Sequence, residues 1–240
     1  MKRREFCIAS GTLGLLCAAS PVAKAAMGTP SSPDEHLHEQ PGVAVIGIGG
    51  FGVRQVSWLK GNRDVGFKGK LIAVDIDDKS LSASVADKKY RLKSVGYLPH
   101  MFKDPPSARA TYYQNLFLAH RPLLESELKG ISHLLLVAGL RNGAGNYLTM
   151  HLAELAQSMG IETWAALTLP FGFERFNVPA QSSFIAISKH VRYVLRVSLD
   201  ELGFELGEDT PIRDVFEESD KAVRRRMVAF SAWHGSGHLV

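Results

Sequence analysis

Five short stretches rich in apolar residues have the length and composition of β-strands that are buried on both faces. They lie at 42–46, 70–75, 133–138, 162–168 and 193–197. Between several of them, apolar residues recur three or four positions apart, which is the spacing of a helix that buries one face. The clearest succession runs from strand 133–138 through a glycine-rich loop and a helix to strand 162–168, which predicts a right-handed βαβ unit.

Two of the predicted helices have a defined core face. The first covers 107–128, and its aromatic residues Tyr112, Tyr113 and Phe117 are interpreted as packing residues. The second runs from 147 to about 159, with Gly160 as its stop. Their expected core residues are Tyr112, Leu116, Leu118, Leu123, Leu124 and Leu128 in the first helix and Leu148, Leu152, Leu155 and Ala156 in the second.

A glycine-rich loop follows the first strand, and helical spacing resumes after Gly52. Glycine at such a place allows a tight turn and lets a phosphate approach the backbone where a helix begins. Gly47, Gly49 and Gly52 also have the spacing of the dinucleotide fingerprint, and Asp75 ends the next strand roughly twenty residues on, where NAD(P)-dependent enzymes hold a ribose. The loop residues expected to contact a nucleotide are Gly47, Gly49, Gly50, Phe51, Gly52 and Arg54.

A second glycine-rich loop follows strand 133–138. Its composition lets the backbone turn tightly and point N–H groups at an anion, and it leads into a helix N-terminus, where phosphate binds well. The residues expected to contact a nucleotide here are Gly139, Leu140, Arg141, Asn142, Gly143, Ala144, Gly145 and Asn146.

Several ordered segments between 42 and 228 resemble the FtsZ and tubulin GTPase family. AGLRNGAGNY at 138–147 stands where that family has AGMGGGTGTG, and TLPFGFE at 168–174 stands where it has TKPFxFE. AVDIDDKSL at 73–81 is similar to its AVNTDxxxL, and ISKHV at 187–191 to its LSKHV. DVFEESD at 214–220 is similar to its DAFGAAN, which opens the long central helix and reads guanine.

This resemblance implies an α/β fold of the FtsZ/tubulin nucleotide-binding type: a doubly wound, mostly parallel, Rossmann-like sheet with helices on both faces. It implies GTP or GDP as the ligand, with or without Mg²⁺. It also implies that Phe216 stacks on the guanine base, and that Asp220, in place of the family's asparagine, accepts hydrogen bonds from that base. The other residues that it places near the nucleotide are Asp75, Asp77, Pro170 and Glu174.

The second loop departs from the family's pattern. Arg141, Asn142 and Tyr147 replace glycines, and both threonines are absent. A third glycine-rich loop is not found, and neither is the acidic loop with which FtsZ completes the site of a neighbouring subunit. Because phosphoryl transfer depends on positioning and charge stabilisation, we expect weak or absent GTPase activity. We assign no catalytic residue and no set of metal ligands.

The first 26 residues have the pattern of an export signal: a basic start at 2–4, an apolar stretch at 6–19 and a small-residue end at 23–25. Its paired arginines resemble a twin-arginine signal. Cleavage after Ala25 would remove Cys7 and Cys17, the two cysteines of the chain. A polar linker is predicted at 27–41 and the nucleotide-binding domain at 42–240. We therefore expect the protein in the periplasm or cell envelope; the alternative is a cytoplasmic protein that an uncleaved leader holds at the membrane.

Length and charge exclude some classes of protein. With 240 residues and 45% hydrophobic content, the chain can bury the core of one domain. The predicted leader carries three of the four net positive charges, so the remainder is close to neutral and a nucleic-acid partner is not expected. No apolar span after the leader suggests a transmembrane helix.

Three functions remain open. The first is an FtsZ-like protein that binds guanine nucleotide, with a homo-oligomer or an FtsZ-like protein as partner, in a cell-division-like or membrane-associated role. The second is an exported NAD(P)-binding oxidoreductase. The third is a structural or interaction protein that has lost its ligand, in which Arg141 fills the phosphate position instead of binding a phosphate. Export conflicts with the first function, because GTP is not supplied outside the cytoplasm.

Overall fold

The computed structural model of the protein describes residues 42–100, 103–141, 143–207 and 209–234. The predicted export signal and linker at 1–41, with Cys7 and Cys17, and the predicted site residue Asn142 lie outside the described residues. They therefore stay predictions.

Within the described residues, six strands form one parallel sheet, and helices connect most of them. The strands are Gly42–Ile48 (β1), Lys70–Asp75 (β2), Lys88–Arg91 (β3), Ile131–Gly139 (β4), Glu162–Leu169 (β5) and Tyr193–Ser198 (β6). The helices are Gly49–Gly61 (α1), Asp78–Ser82 (α2), Pro106–Leu128 (α3), Ala144–Ser158 (α4), Asn177–Ser188 (α5), Leu199–Leu206 (α6) and Ile212–His234 (α7), with a 3₁₀ turn at Arg63–Val65 after α1.

The strand order across the sheet is β3-β2-β1-β4-β5-β6, and every pair is parallel. The direction of winding reverses between β1 and β4, which are neighbours in the sheet although strands β2 and β3 lie between them in the chain. In a doubly wound sheet a ligand binds at this reversal, outside the carboxyl ends of the strands. The predicted fold class is confirmed.

Successive side chains of each strand point to opposite faces of the sheet, so the core consists of two layers. In β1, Ala44, Ile46 and Ile48 belong to the layer covered by α3, α4 and α5. Val45 faces the opposite layer, which α1 and α7 cover. Successive side chains of a strand point to opposite faces, so a strand that is covered by helices on both sides must be apolar throughout. This requirement explains the uninterrupted apolar runs of β1 and β4.

Several predicted boundaries are wrong. Helix α1 begins at Gly49, so the glycines at 49–52 form its first turn and not a loop before it. Helix α4 begins at Ala144, three residues earlier than predicted. Glycine has poor helix propensity, which hides a helix start in the sequence, whereas packing against the sheet decides the outcome here.

Two predicted core residues of α3 are exposed: Leu118 is 53% accessible and Leu123 is 40% accessible. Leu118 lies on the side of the helix away from the buried row that contains Tyr113, Leu116 and Leu124. Strand β3 and helix α6 were absent from the predicted elements. No helix among the described residues is both long and apolar enough to cross a bilayer.

Candidate functional site

A cleft of about 650 Å³ lies at the carboxyl ends of β1 and β4, where the strand order reverses. Its volume is in the range of small-molecule sites, roughly 300–1,000 Å³. The N-terminus of α1 lines one part of the cleft with Gly49 and Gly50, and the N-terminus of α4 lines another with Ala144 and Gly145. The fold therefore directs two helix starts at one cavity.

Within the part of the chain that the structure describes, neither helix start is capped by a side chain. The residue before α1 is Ile48 and the residue before α4 is Gly143, and neither gives a side-chain cap hydrogen bond. No acidic residue lies in the first turn of either helix. The first N–H groups of a helix have no partner within the helix, and they carry the positive end of the helix dipole. Two such ends at one cleft favour an anion, and phosphate above all.

Several glycines of the two loops are needed for close packing of the backbone. A Cβ on Gly52 would lie 2.1 Å from the carbonyl oxygen of Val137, and one on Gly47 would lie 2.2 Å from the carbonyl oxygen of Gly52. A Cβ on Gly145 would lie 2.6 Å from the carbonyl oxygen of Gly139. These glycines let strands and helix starts approach closely. At Gly50, by contrast, a Cβ would meet only the Ser80 hydroxyl oxygen at 3.9 Å.

Gly49 lies where the two glycine-rich loops come into contact. Its φ of +68° lies in the left-handed region, and a Cβ there would be 2.8 Å from the amide nitrogen of Gly145. A side chain at this position would be strained and would also push the two helix starts apart.

Arg109 is a buried cation that lines the cleft, with 7% of its surface exposed. Its Nη1 donates to the carbonyl oxygen of Pro99 at 2.6 Å, while its Nε has no partner. Among the described residues, no carboxylate oxygen lies within 4.0 Å of its guanidinium. A buried charge is costly unless it is paired, so an anion in the cleft would supply the pairing that the protein does not.

Tyr113 follows Arg109 by one helical turn and also lines the cleft. The guanidinium carbon of Arg109 lies 5.9 Å from the centre of the Tyr113 ring, and the ring of Tyr147 stacks on that of Tyr113 with the ring centres 5.1 Å apart. Burial raises the pKa of Tyr113, so its hydroxyl stays protonated and available as a donor.

Arg141 of the second loop is bound by Glu174. Its Nε donates to Glu174 Oε2, and Glu174 Oε1 accepts from the amide of Phe171 at 3.3 Å. The carboxylate is buried and the arginine is mostly exposed, although Arg141 lines the cleft. Arg141 therefore bridges the loop to the end of β5 and does not fill the centre of the cleft with an unpaired charge.

The two acids after β2 have different roles. Asp75 is buried, lines the cleft and accepts from the amide of Ile76 at 2.7 Å. Burial raises its pKa, and the nearby charge of Asp77 adds to this effect. The carboxylate of Asp77 caps α2, where it accepts from the amides of Lys79 and Ser80.

At the other end of the cleft, Phe216 of α7 is 40% exposed and meets the ring of Phe171 edge-on at 5.9 Å. Asp220, one turn further on, is outside the lining. Its Oδ1 accepts from Arg54 Nη2 at 3.0 Å and from Gln55 Nε2 at 2.8 Å, and Arg224 lies 3.5 Å from its Oδ2. The carboxylate expected to read a base thus has protein partners already.

The structure brings most predicted site residues together. Those that line the cleft are Gly49, Gly50, Phe51, Arg54, Asp75, Asp77, Gly139, Arg141, Gly143, Ala144, Gly145, Pro170 and Phe216. Those outside its lining are Gly47, Gly52, Leu140, Asn146, Glu174 and Asp220. Leu140 and Asn146 are fully buried beside the second loop, and the Oδ1 atom of Asn146 has no partner. Whether each residue contacts a ligand stays a prediction.

Sequence reasoning missed several residues of the lining, among them Arg109, Tyr113, Thr168 and Ser219. One signal could have identified Arg109. It lies on the same face of α3 as Tyr113, Leu116 and Leu124, so it places a permanent charge in an apolar row.

Comparison with solved structures defines the class of fold. FtsZ from M. jannaschii, solved as an empty dimer, aligns with a TM-score of 0.68 and 18% identity over 83% of this chain and 57% of its own. CetZ2 from Haloferax volcanii, solved as a GTPγS-bound protofilament, aligns with a TM-score of 0.61 and 18% identity over 82% of this chain and 60% of its own. The chain thus has the FtsZ/tubulin-like α/β fold.

Two curated FtsZ sequences are also similar to this chain. Cell division protein FtsZ of Neisseria meningitidis serogroup A is 28% identical over 195 residues, which are 79% of this chain and 47% of that protein. FtsZ of Neisseria gonorrhoeae is 28% identical over 197 residues, with the same coverage. The chain spans about half the length of these curated relatives. No protein-family model matches it. These similarities support an FtsZ-like protein and give no support to the oxidoreductase alternative.

Proposed function

We propose that this protein is an FtsZ-like guanine-nucleotide-binding protein. The observation that carries the proposal is the convergence of two uncapped helix N-termini and the buried, carboxylate-free cation of Arg109 on one cleft. Backbone N–H groups and an arginine are the usual ligands of phosphate groups. We call this part of the site, formed by the starts of α1 and α4 and by Arg109, the phosphate side.

The opposite end, formed by Phe216, Asp220 and Arg54, is the base side. Phe216 offers an accessible ring on which a base can stack, which supports a nucleotide over a simple phosphate. The choice of guanine rests on similarity to FtsZ, because Asp220 is engaged by Arg54 and Gln55. For guanine recognition, one of these hydrogen bonds to Asp220 must be exchanged for bonds from the base.

Mg²⁺ commonly binds such sites through one or two carboxylates and the phosphates of the ligand. Asp75 is the buried carboxylate in the lining and is the residue that would hold this ion. A bound cation would offset the burial that raises the pKa of this carboxyl group, so the donor fits the ion chemically.

We further propose that GTP hydrolysis by this chain is weak or absent. The second loop has Arg141, bound to Glu174, and Tyr147, stacked on Tyr113, where the family pattern has glycines. It also has no threonine hydroxyl to offer. A phosphate-release assay tests this, and turnover comparable with that of assembled FtsZ would contradict it.

Self-association and location are also proposals. Relatives by fold were solved as a dimer and as protofilaments, which supports a homo-oligomer. The leader pattern supports twin-arginine export, with retention at the membrane as the alternative. Since export removes a protein from the supply of GTP, an exported form would have to leave the cytoplasm with its nucleotide bound.

The experiment that tests nucleotide binding is to purify the full-length chain gently, denature it and identify any released nucleotide by chromatography and mass. In parallel, thermal unfolding is followed with GDP, GTP, ATP, NAD or NADP added. A ligand at a hundredfold excess over its Kd stabilises by about 2.7 kcal/mol. Bound or stabilising guanine nucleotide is the expected result. Bound or stabilising NAD or NADP would indicate an oxidoreductase. No bound nucleotide and no change in Tm with any of them would indicate a ligand-free interaction protein.

A further inference from the structure

A second cluster of polar side chains lies at the end of the sheet opposite the cleft. His133 is near the start of β4, Glu162 begins β5, and these two residues are register partners in the sheet. His234 is the last residue of α7. One potential ligand atom from each of the three residues lies within 4.8 Å of the other two. Two imidazoles and a carboxylate are a common ligand set for a divalent transition metal.

The hydrogen bonds of His133 leave one ring nitrogen free. Ser132 Oγ donates to the carbonyl oxygen of Gly42 at 3.2 Å, so its contact with His133 Nδ1 at 2.9 Å is one in which the imidazole donates. Assigned in this way, the proton is on Nδ1 and the lone pair is on Nε2. Metal-binding histidines are usually oriented by such a bond from the ring nitrogen that does not bind the metal.

Glu162 is oriented in the same manner. Its Oε1 accepts from the indole Nε1 of Trp164 at 3.2 Å, and its Oε2 accepts from Arg192 Nη1 at 2.9 Å. Each carboxylate oxygen has a second lone pair, so both contacts can persist while one oxygen binds a metal ion. The positive charge of Arg192 weakens attraction for a hard cation held by charge alone, which favours a metal that bonds well to imidazole.

His234 supplies the observation that needs an explanation. Its Nε2 is buried and has no hydrogen-bond partner among the described residues, although its ring lies against His133 at 4.2 Å and against Trp164 at 5.4 Å. An unsatisfied buried polar atom destabilises the folded protein.

We propose that His133, Glu162 and His234 form a binding site for a divalent transition metal ion, with Zn²⁺ as the metal that this ligand set suits best. Ligand distances of about 2.0–2.1 Å put donor atoms roughly 3.3 Å apart around Zn²⁺, so the three atoms must close by at most about 1.5 Å. The two rings are now stacked at 22°, and they must open for both lone pairs to meet one ion. The ion would fasten the end of α7 to β4 and β5.

The test uses the full-length chain after treatment with a chelator. Zn²⁺ binding is measured by calorimetry, Co²⁺ binding by its visible absorption, and quenching of Trp fluorescence by Cu²⁺ reports an ion bound close to Trp164, whose indole contacts Glu162. We expect one Zn²⁺ per chain with a Kd in the micromolar range or below, and a rise in Tm when Zn²⁺ is added. His234→Ala and Glu162→Gln should abolish this binding, and Ser132→Ala should weaken it about tenfold.

His120→Ala is the matched control, because both ring nitrogens of His120 contact backbone atoms, those of Lys93 and Leu116. It should bind Zn²⁺ like the parent. Glu162→Gln keeps the size of the side chain, so it distinguishes loss of a ligand from loss of the fold, which circular dichroism checks for every variant. No Zn²⁺ binding by the parent, or equal binding by the His234 and Glu162 variants, would overturn the proposal.

Discussion

The two sides of the cleft offer a nucleotide different kinds of group. The phosphate side presents the backbone of two helix starts, with Arg109 as its principal side chain. The base side presents side chains, and the one that would read guanine, Asp220, is held by Arg54 and Gln55. Backbone donors persist through sequence change as long as the fold persists, whereas side-chain recognition is redirected by one substitution. The comparison therefore predicts that affinity for phosphates is better preserved than selectivity for a base.

The largest effect should come from breaking the backbone contact beneath the phosphate side. Gly52→Ala places a Cβ 2.1 Å from the carbonyl oxygen of Val137 in the central strand. The strand and the helix must separate, so we expect a loss of at least about 3 kcal/mol in the free energy of unfolding. Urea unfolding measures it.

Gly50→Ala is the matched control, because its Cβ would meet only the Ser80 hydroxyl oxygen at 3.9 Å. We expect its stability to stay within about 1 kcal/mol of the parent, since alanine is the better helix former. Equal stability of the two variants would contradict the packing role assigned to Gly52.

The second test removes the cation of the phosphate side. Arg109→Met should weaken binding of GDP and GTP by about 10- to 100-fold, because a hydrogen bond to a charged group contributes roughly 1.5–3 kcal/mol. The ligand-free variant should be no less stable than the parent, since a buried charge without a carboxylate partner is removed. Calorimetry and urea unfolding report the two quantities. Arg121→Met, on the exposed side of the same helix, should change neither. Unchanged affinity in the Arg109 variant would remove this residue from the site.

The third test concerns the base side. Phe216→Ala should weaken nucleotide binding by about tenfold, because stacking of a base on an aromatic ring contributes roughly 1–3 kcal/mol. The factor should be similar for GDP and ADP, since every base has a face to stack. Phe204→Ala, which truncates an exposed aromatic residue of α6, is the control. A loss for GDP alone would show that Phe216 also contributes to selectivity.

The central strands could be predicted from sequence because burial on both faces forces continuous apolar runs, as in β1 and β4. The edge strand β3, KKYR at 88–91, could not, because three of its four residues are charged and it is covered little. Helix propensity placed the starts of α1 and α4 too late, since glycine there is favoured by close packing and not by propensity.

Only those parts of the candidate site that one continuous segment of the chain forms could be predicted from the sequence. The two glycine-rich loops are such segments, and the sheet brings them together at Gly49 and Gly145. The pairing of Arg54 with Asp220 joins residues 166 positions apart, so local patterns contain no information about it. Arg109 is a different case, because its neighbours on α3 are apolar and their spacing predicts a core face, so its charge is the one local sign of a site.

A smaller effect, on the preference for guanine, is expected when Asp220 loses its hydrogen bond from Arg54. Arg54→Ala removes one of its partners, and this should raise the preference for GDP over ADP by a few-fold, since the carboxylate becomes freer to accept from guanine. Stability should change by less than about 1 kcal/mol, because Arg54 is 57% exposed and its ion pair is screened. Arg213→Ala removes another exposed arginine of an ion pair and should leave the preference unchanged. If the preference falls instead, Arg54 itself contacts the base.

The smallest effect is expected at Asp75, which lies in the cleft lining and forms no ion pair with any of the described residues. Burial raises its pKa, so the folded protein binds this proton more tightly than the unfolded chain does. The resulting destabilisation is absent below the unfolded pKa of about 3.9, grows as pH rises and is complete above the folded pKa. Asp75→Asn should therefore raise Tm slightly at pH 7, where about 2–4 °C corresponds to 1 kcal/mol in a chain of this size, and the gain in Tm should vanish near pH 3.5.

Saturating GDP with Mg²⁺ should cancel this gain in Tm, because a cation bound to Asp75 stabilises the charged parent and has no such ligand in the variant. A gain that is independent of pH would mean that the substitution acts through packing and not through the charge.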